Sequence, residues 1–453
     1  MIHKYKLFNK NIVLDIYSGS VHVVSDSVFD MLGTESFDKS KIPTQILNKY
    51  SLESIEASIA EIEELIENGL LYSDDIYKPI RDRKTKNPPV KALCLHMAHD
   101  CDLRCRYCFA GTGAFHGERG LMPFEVAKKA IDFVIKNSQD RKNIEIDFFG
   151  GEPVLNFDVV KKTVEYAESE GEKKNKNFRF TITTNGLAIT DEQIEYINKH
   201  MSNVVLSCDG RQETNDKNRK TVDGQGTYDK IIDKFIKIAN ERNQFDYYIR
   251  GTFTRDNLDF KEDVLHLADL GFKQISVEPV ALPKNSPLAI KNEHLETVFN
   301  TYEDLAREII KREIENKNTF NFFHFMIDLE NGPCALKRIS GCGAGCEYLA
   351  VTPNGDIFPC HQFADDFEFK LGNVMKNDFI GCKDKQEQFK SRDIYTINGC
   401  DTCFAKFYCS GGCAANSLKF ENDLYKPYEI GCLMQKKRVE CAIGIQAVLA
   451  DYD

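Results

Sequence analysis

The chain has 453 residues, 42% of them hydrophobic, and its 59 Lys and Arg against 70 Asp and Glu leave a net charge of −11. That balance excludes a general nucleic-acid binder, which needs surplus cations to displace counterions, and the length predicts two or three domains, since one core rarely exceeds roughly 250–300 residues. No apolar run nears the roughly 18 residues that span a bilayer, and Met1–Lys6 lacks the apolar stretch of a secretory signal, so a cytoplasmic protein without a membrane partner is expected.

In chain order, Ile12–Ile16, the turn Ser18-Gly19 and Val21–Val24 predict a hairpin. Leu52, Ile55, Ile59, Ile62 and Ile66 recur at spacings of three and four, which predicts an amphipathic helix stopped by Asn68-Gly69. Residues 1–75 thus read as a small α+β module, and the basic, proline-bearing stretch 76–90 as a linker. Strand candidates follow at Ala92–Met97, Ile144–Phe149, Phe178–Thr183, Val204–Ser207, Tyr247–Phe253 and Gln274–Glu278. Helical periodicity, as in Glu125–Lys136 and Tyr228–Ala239, separates most of them. Six such units over 91–290 predict a parallel sheet rolled into a barrel, with chemistry at the carboxyl ends of its strands. A polar helix near Glu293–Asn316 makes 291–333 a bridge. The remainder, 334–453, has little periodicity and much cysteine.

Cysteine usage is the anomaly. Of sixteen, three fall between Cys101 and Cys108 and eleven between Cys334 and Cys441, with Cys208 alone in the middle. A chain this long does not need disulfide staples, and without an export signal the clusters read as metal ligands. Cys101-x3-Cys105-x2-Cys108 follows the first barrel strand. Three thiolates hold three corners of a [4Fe–4S] cube and leave one iron open to a substrate or cofactor. The alternative is zinc, which normally has four ligands closed around it.

On this triplet the chain resembles the radical S-adenosylmethionine (SAM) superfamily, and the rest of the barrel follows. The resemblance implies an α/β fold, a partial (β/α)6 barrel of the TIM type. Gly150-Gly151-Glu152-Pro153 matches the family's GGEP element, whose backbone and Glu hold the methionine amino group, with glycine allowing close approach to the ligand. Tyr107 resembles the aromatic against adenine. Thr184 and Asn185, in Thr183-Thr184-Asn185-Gly186, close the third strand as in the family. Ser207 resembles the serine near the ribose or methionine. Arg219 resembles the arginine that pairs with the SAM carboxylate, a bidentate task; the alternative is a surface cation beside Asp216 and Lys217. Arg250 is a second candidate.

The carboxyl-terminal cysteines resemble the SPASM domain of peptide-modifying radical SAM enzymes, through Cys342-x12-Gly355-x4-Cys360 and Cys400-x2-Cys403-x5-Cys409-x3-Cys413 followed by Cys432. The resemblance implies two auxiliary [4Fe–4S] clusters, three in all, in an irregular iron–sulfur domain. The outer takes Cys400, Cys403, Cys409 and Cys432, and the inner Cys342, Cys360 and Cys413. The inner cluster's fourth ligand stays open between Cys346, Cys334 and a substrate thiolate. Cys94, Cys208 and Cys441 read as small apolar core residues, and Cys382 has no assigned role. His361 stands where sulfatase maturases of this superfamily carry an aspartate base, which argues against that activity.

The amino-terminal module resembles the winged-helix-like element that binds a leader peptide as an added edge strand; the alternative is a structural cap. Asn11–Val24 and Gly341–Gly345 look most like maturases of SCIFF (six-cysteine) precursor peptides. Such a likeness implies an anaerobic bacterial enzyme with an electron donor such as ferredoxin or flavodoxin. Its 5′-deoxyadenosyl radical takes hydrogen from a peptide carbon, to which a cysteine sulfur of the same peptide then bonds as a thioether. The rivals are a maturase that forms a carbon–carbon link or oxidises a Cys or Ser side chain, and a non-enzymatic iron–sulfur or zinc peptide-binding module.

Overall fold

The computed structural model describes residues 1–81, 88–330, 335–376 and 383–452; Cys334 and Cys382 lie outside them. The amino-terminal hairpin is the centre and edge of a three-stranded antiparallel sheet, β1 (Ile2–Leu7), β2 (Lys10–Asp15) and β3 (Val21–Val23). Strand β1 had no counterpart in the sequence reading, because only its ends, Ile2 and Leu7, are buried, on opposite faces, and the polar residues between them show no alternation. The amphipathic helix runs Leu52–Glu67, capped by Ser51, whose side chain accepts from Ser54 N. Its Ile55 and Ile62 pack on Val13 and Val28, whereas Leu52 at its start is 71% exposed.

Strand β2 is buried on both faces. Val13 turns to the module's own helix, while Leu7, Ile12 and Leu14 join the main core of the molecule. The surface they meet is the helix Glu429–Leu449, where a side chain at Gly444 would come within 2.9 Å of Leu7. His3 stacks on Phe404 with ring centroids 3.6 Å apart, Tyr5 Oη donates to the Glu440 carbonyl at 3.0 Å, and Arg81 Nε donates to Asp393 at 2.8 Å. The module is therefore fastened to the carboxyl-terminal region.

The six expected barrel strands are all present and parallel: β4 (Ala92–Ala98), β6 (Asn143–Gly150), β7 (Asn177–Thr184), β8 (Asn203–Ser207), β10 (Tyr247–Phe253) and β11 (Gln274–Pro279). Helices such as Phe124–Asn137 and Tyr228–Glu241 cover the outside, burying Ile131, Val134, Phe235 and Ile238. Between β4 and β6 lies the short β5 (Leu103–Cys105), which pairs antiparallel with β9 (Arg219–Thr221).

The barrel does not close. A two-residue β12 (Asn321–Phe322) extends the β11 edge, and β13 (Tyr348–Val351), β14 (Asp356–Phe358) and β15 (Gly372–Asn373) extend the β4 edge. The carboxyl-terminal region is thus less irregular than its sequence suggested. It shares a sheet with the barrel through Ala350↔Cys94 and ends in a 21-residue helix. Period-two signals were too short there to read as strands. No helix among the described residues is long and apolar enough to cross a membrane. Gly444→Leu should push Leu7 and Phe8 away and lower stability by about 2 kcal/mol, read by urea unfolding of the anaerobic protein.

Candidate active site at the carboxyl ends of the barrel strands

The loop leaving β4 carries Cys101, Cys105 and Cys108. It is seated by close backbone contact with the end of β6. A Cβ on Gly150 would lie 2.4 Å from the Ala98 carbonyl oxygen, and one on Gly151 would lie 2.1 Å from that of Asp100. Gly150 also has φ of +126°, a conformation that side chains disfavour. The two glycines therefore admit the cysteine loop. Gly151 N donates to the Ala98 carbonyl and Glu152 N to that of Asp100, at 2.8 and 2.9 Å.

Glu152 is buried and caps the turn Pro153–Asn156 by accepting from Val154 N at 3.1 Å. Its other bonds tie β6 to β7. Thr184 Oγ1 donates to Oε1 at 2.8 Å and Asn185 N to Oε2 at 2.7 Å. Burial outweighs these donors and raises the carboxyl to about 7. Three of the carboxylate's roughly four acceptor positions are thus filled from within the chain. Asn185 Nδ2 reaches Asp102 Oδ1 at 2.7 Å and Cys101 Sγ at 3.7 Å.

Arg219 is buried, not a surface cation. It stands opposite Cys105 in the β5–β9 register, while Asp216 and Lys217 find other partners, Thr227 N and Asp256. Its Nη1 donates to Tyr107 Oη at 3.0 Å, and Tyr107 Oη donates to Asp209 at 2.7 Å. Arg219 Nε is buried without a hydrogen-bond partner. Asp209 is raised to about 6 by burial, against the opposing pull of Arg219. Ser207 ends β8 beside Arg250 of β10, and Arg250 pairs with Glu278 at 3.2 Å.

Burial raises Cys105 to about 11, with Cys108 adding to the rise and Arg219 opposing it. Cys101 is raised by burial, then by Glu152, and more weakly by Asp102 and Cys105. Leu103 N donates to Cys101 Sγ at 3.4 Å. These soft donors, one guanidinium and backbone N–H groups fit a thiolate-held iron–sulfur centre. Cys101, Cys105 and Cys108 would hold it.

The later cysteines fall into two groups. Burial raises Cys400 and Cys432 to about 12, with Cys403 and Cys409 adding to the rise at both and Cys400 to that at Cys432; Cys409 is raised by burial and by Cys403. Cys360 is likewise raised by burial, by Cys413 and by Cys342, and Cys413 by burial and by Cys342. Cys346 is not drawn into either group: its thiol donates to the Gln386 carbonyl at 3.8 Å, and the charges around it are Lys390, Glu347 and Glu387. Between the barrel mouth and Cys360 lies His361, its ring 4.9 Å from that of Phe149 and 5.7 Å from that of Phe109. Burial lowers it to about 4, so it is neutral.

Three residues here escaped the sequence reading. Asp102 falls within the Cys101-x3-Cys105 spacing and Asp209 two residues after Ser207, yet their partners Asn185 and Tyr107 are distant in sequence. Asp147 lies inside the barrel, raised to about 7 by burial and hydrogen-bonded to Tyr348, which also bonds Cys94. A carboxylate alternating with Ile146 and Phe148 was the available signal. Cys94 is thus a polar contact as well as a core residue, while Cys208 and Cys441 are buried as expected.

Fold and donor set together define an α/β-barrel protein of the iron–sulfur class. The radical SAM superfamily model matches residues 95–249, and the SPASM iron–sulfur cluster-binding domain matches residues 342–404. The chain is 25% identical over 431 residues to the radical SAM cyclopropyl synthase TigE of Paramaledivibacter caminithermalis, covering 90% of this chain and 87% of that one. It is 24% identical over 330 residues to a cysteine-type anaerobic sulfatase-maturating enzyme of Clostridium novyi, covering 70% and 86%. Among solved structures, anSMEcpe with bound AdoMet aligns with a TM-score of 0.67 at 19% identity, covering 81% of this chain and 96% of that one. Streptococcus suis SuiB bound to S-adenosylmethionine aligns with a TM-score of 0.54 at 18% identity, covering 95% and 98%. The chain belongs to the radical SAM superfamily and carries a SPASM domain, which together imply SAM and [4Fe–4S] clusters.

Glu152→Gln should replace an acceptor facing Asn185 N–H and weaken SAM binding at least tenfold, read by equilibrium titration. The carboxyl is raised from 4.5 to about 7, so its contribution is full below pH 4.5 and falls as pH rises through 7. The apoprotein should therefore lose on the order of 3 kcal/mol between those limits from this group, a slope that Glu152→Gln removes in urea unfolding at pH 5 and 8.

Proposed function

We propose that this protein is a maturase that joins a cysteine sulfur to a carbon within a ribosomally made, cysteine-rich peptide. The observation that carries the reading is the grouping of thiols. The site at the barrel mouth has three, the outer set has four, and the inner set, Cys342, Cys360 and Cys413, has three described members, the Cys346 thiol being bonded to the Gln386 carbonyl instead. An inner centre with three protein thiolates leaves a position for the peptide's own thiolate. Cys334 is the remaining protein alternative.

When bound, SAM and the three clusters supply a 5′-deoxyadenosyl radical and an acceptor for the electron released as the thioether forms. The chain supplies placement. Glu152, Thr184 and Asn185 set the floor of the SAM site, while Tyr107, Asp209 and Arg219 form a buried wall in which Arg219 Nε is free for a carboxylate. Phe109 and Phe149 pack against the neutral His361, next to Cys360 in the chain. Aromatic walls exclude water from a site that handles a radical.

The edge strand β3 and the adjoining end of the helix Leu52–Glu67 present Val23, Ile66 and Leu70 to solvent. An extended leader peptide added there gains backbone hydrogen bonds and apolar pockets. Removal of residues 1–75 would also strip Leu7, Ile12 and Leu14 from the main core, so a point change is the cleaner probe. Val23→Asp should leave SAM cleavage without peptide intact and weaken leader binding more than tenfold in a fluorescence titration.

The whole-length similarity to TigE favours carbon–carbon bond formation as a second reading. Both products are two hydrogens lighter than the peptide. The thioether consumes a thiol and resists reductant, so alkylation after reduction should count one fewer cysteine per link; an unchanged count would favour the second reading. Cys105→Ala should abolish release of 5′-deoxyadenosine from SAM and dithionite, whereas an iron–sulfur or zinc escort would release none in the unaltered chain.

A further inference from the structure

The two carboxyl-terminal thiol groups share one buried cation. Arg392 is 7% exposed. Its Nε donates to the Leu424 carbonyl at 2.9 Å, and its Nη2 to the Gly411 carbonyl at 2.8 Å and Ser417 Oγ at 3.4 Å. None of these partners carries charge, and among the described residues no carboxylate pairs with it. The titratable groups close enough to act on its charge are the thiols of Cys413 and Cys342 from one set and of Cys400 and Cys409 from the other. Gly411 lies between Cys409 and Cys413, on the short link that joins the sets. Its φ is +80°, and a Cβ there would meet Ile397 at 2.4 Å, so the link has little room to shift. The other fully buried cation nearby, Lys406, has a carboxylate, Asp75, at 3.7 Å. Arg392 has thiols instead.

A buried guanidinium without a counter-charge is costly, and so is a buried group of thiolates. Each offsets the other once the thiols are deprotonated to hold metal. We propose that Arg392 is the shared counter-charge of the two auxiliary sites, a positioning residue that stabilises both sets of thiolates and raises both reduction potentials. The proposal rests on the reading of these cysteines as ligands of two clusters. Its direction follows from charge alone. Reduction adds a negative charge to each centre, so removal of a nearby cation disfavours the reduced form.

The test uses the full chain purified anaerobically with Cys101, Cys105 and Cys108 replaced by Ala, so that only auxiliary iron remains. Iron and sulfide are counted, and the reduced centres are followed by electron paramagnetic resonance in a redox titration. Arg392→Gln should move both midpoint potentials to more negative values, or lose more than half of the auxiliary iron. Arg392→Lys, whose ammonium stays charged beside anions, should restore the iron and most of the shift. The proposal is overturned if Arg392→Gln keeps both potentials, if only one centre moves, or if the Lys variant matches the Gln variant. If the parent chain holds no auxiliary iron, the two-cluster reading fails, and the proposal with it.

Discussion

Thiolates repel one another, and this protein gathers ten cysteines in three groups. In each group burial and neighbouring sulfurs raise at least one thiol above its ordinary range, Cys105, Cys360 and Cys400 among them. Left as they are, these groups favour the protonated state, and metal ligation requires the opposite. The surroundings reflect that demand: Arg219 faces Cys105, Arg392 stands near both later groups, and backbone N–H groups reach Cys101, Cys409 and Cys413. Most of the remaining architecture serves to hold these sulfurs and cations in place.

The means is continuity of backbone. The barrel sheet runs on through β13 into β14 and β15, so Cys360, just past β14, is tied to the strand that delivers Cys101. The helix Glu429–Leu449 carries Cys432 in its first turn and meets the amino-terminal module along its later turns. Distances between the thiol groups are thereby set by hydrogen-bonded and close-packed elements. A rigid scaffold of this kind suits chemistry in which a misplacement of about 1 Å is costly.

Several residues act in a way their motif alone would not suggest. The glycines of Gly150-Gly151-Glu152-Pro153 make room for the loop from Ala98 to Asp100, and Glu152 spends most of its acceptor capacity on Thr184, Asn185 and Val154. Arg219, next to charged surface residues in sequence, is carried inward by pairing of β9 with β5. His361 is held neutral between aromatic rings.

The linear chain determined the local matters: six parallel strands to within a residue or two, the amphipathic helix at residues 52–67, and the three cysteine motifs. Each rests on spacing, and spacing is a property of neighbours along the backbone. Only the folded structure decided what meets across it. Strand β1 and the added strands β13 to β15 are too short or too polar to announce themselves, and form because a neighbouring strand offers unpaired N–H and C=O groups. The approach of Asp209 to Tyr107, of Tyr348 to Asp147 and Cys94, and of Arg392 to thiols of two groups joins residues far apart in sequence. Such pairings follow from burial, where a polar group must find whichever partner the packing leaves within reach.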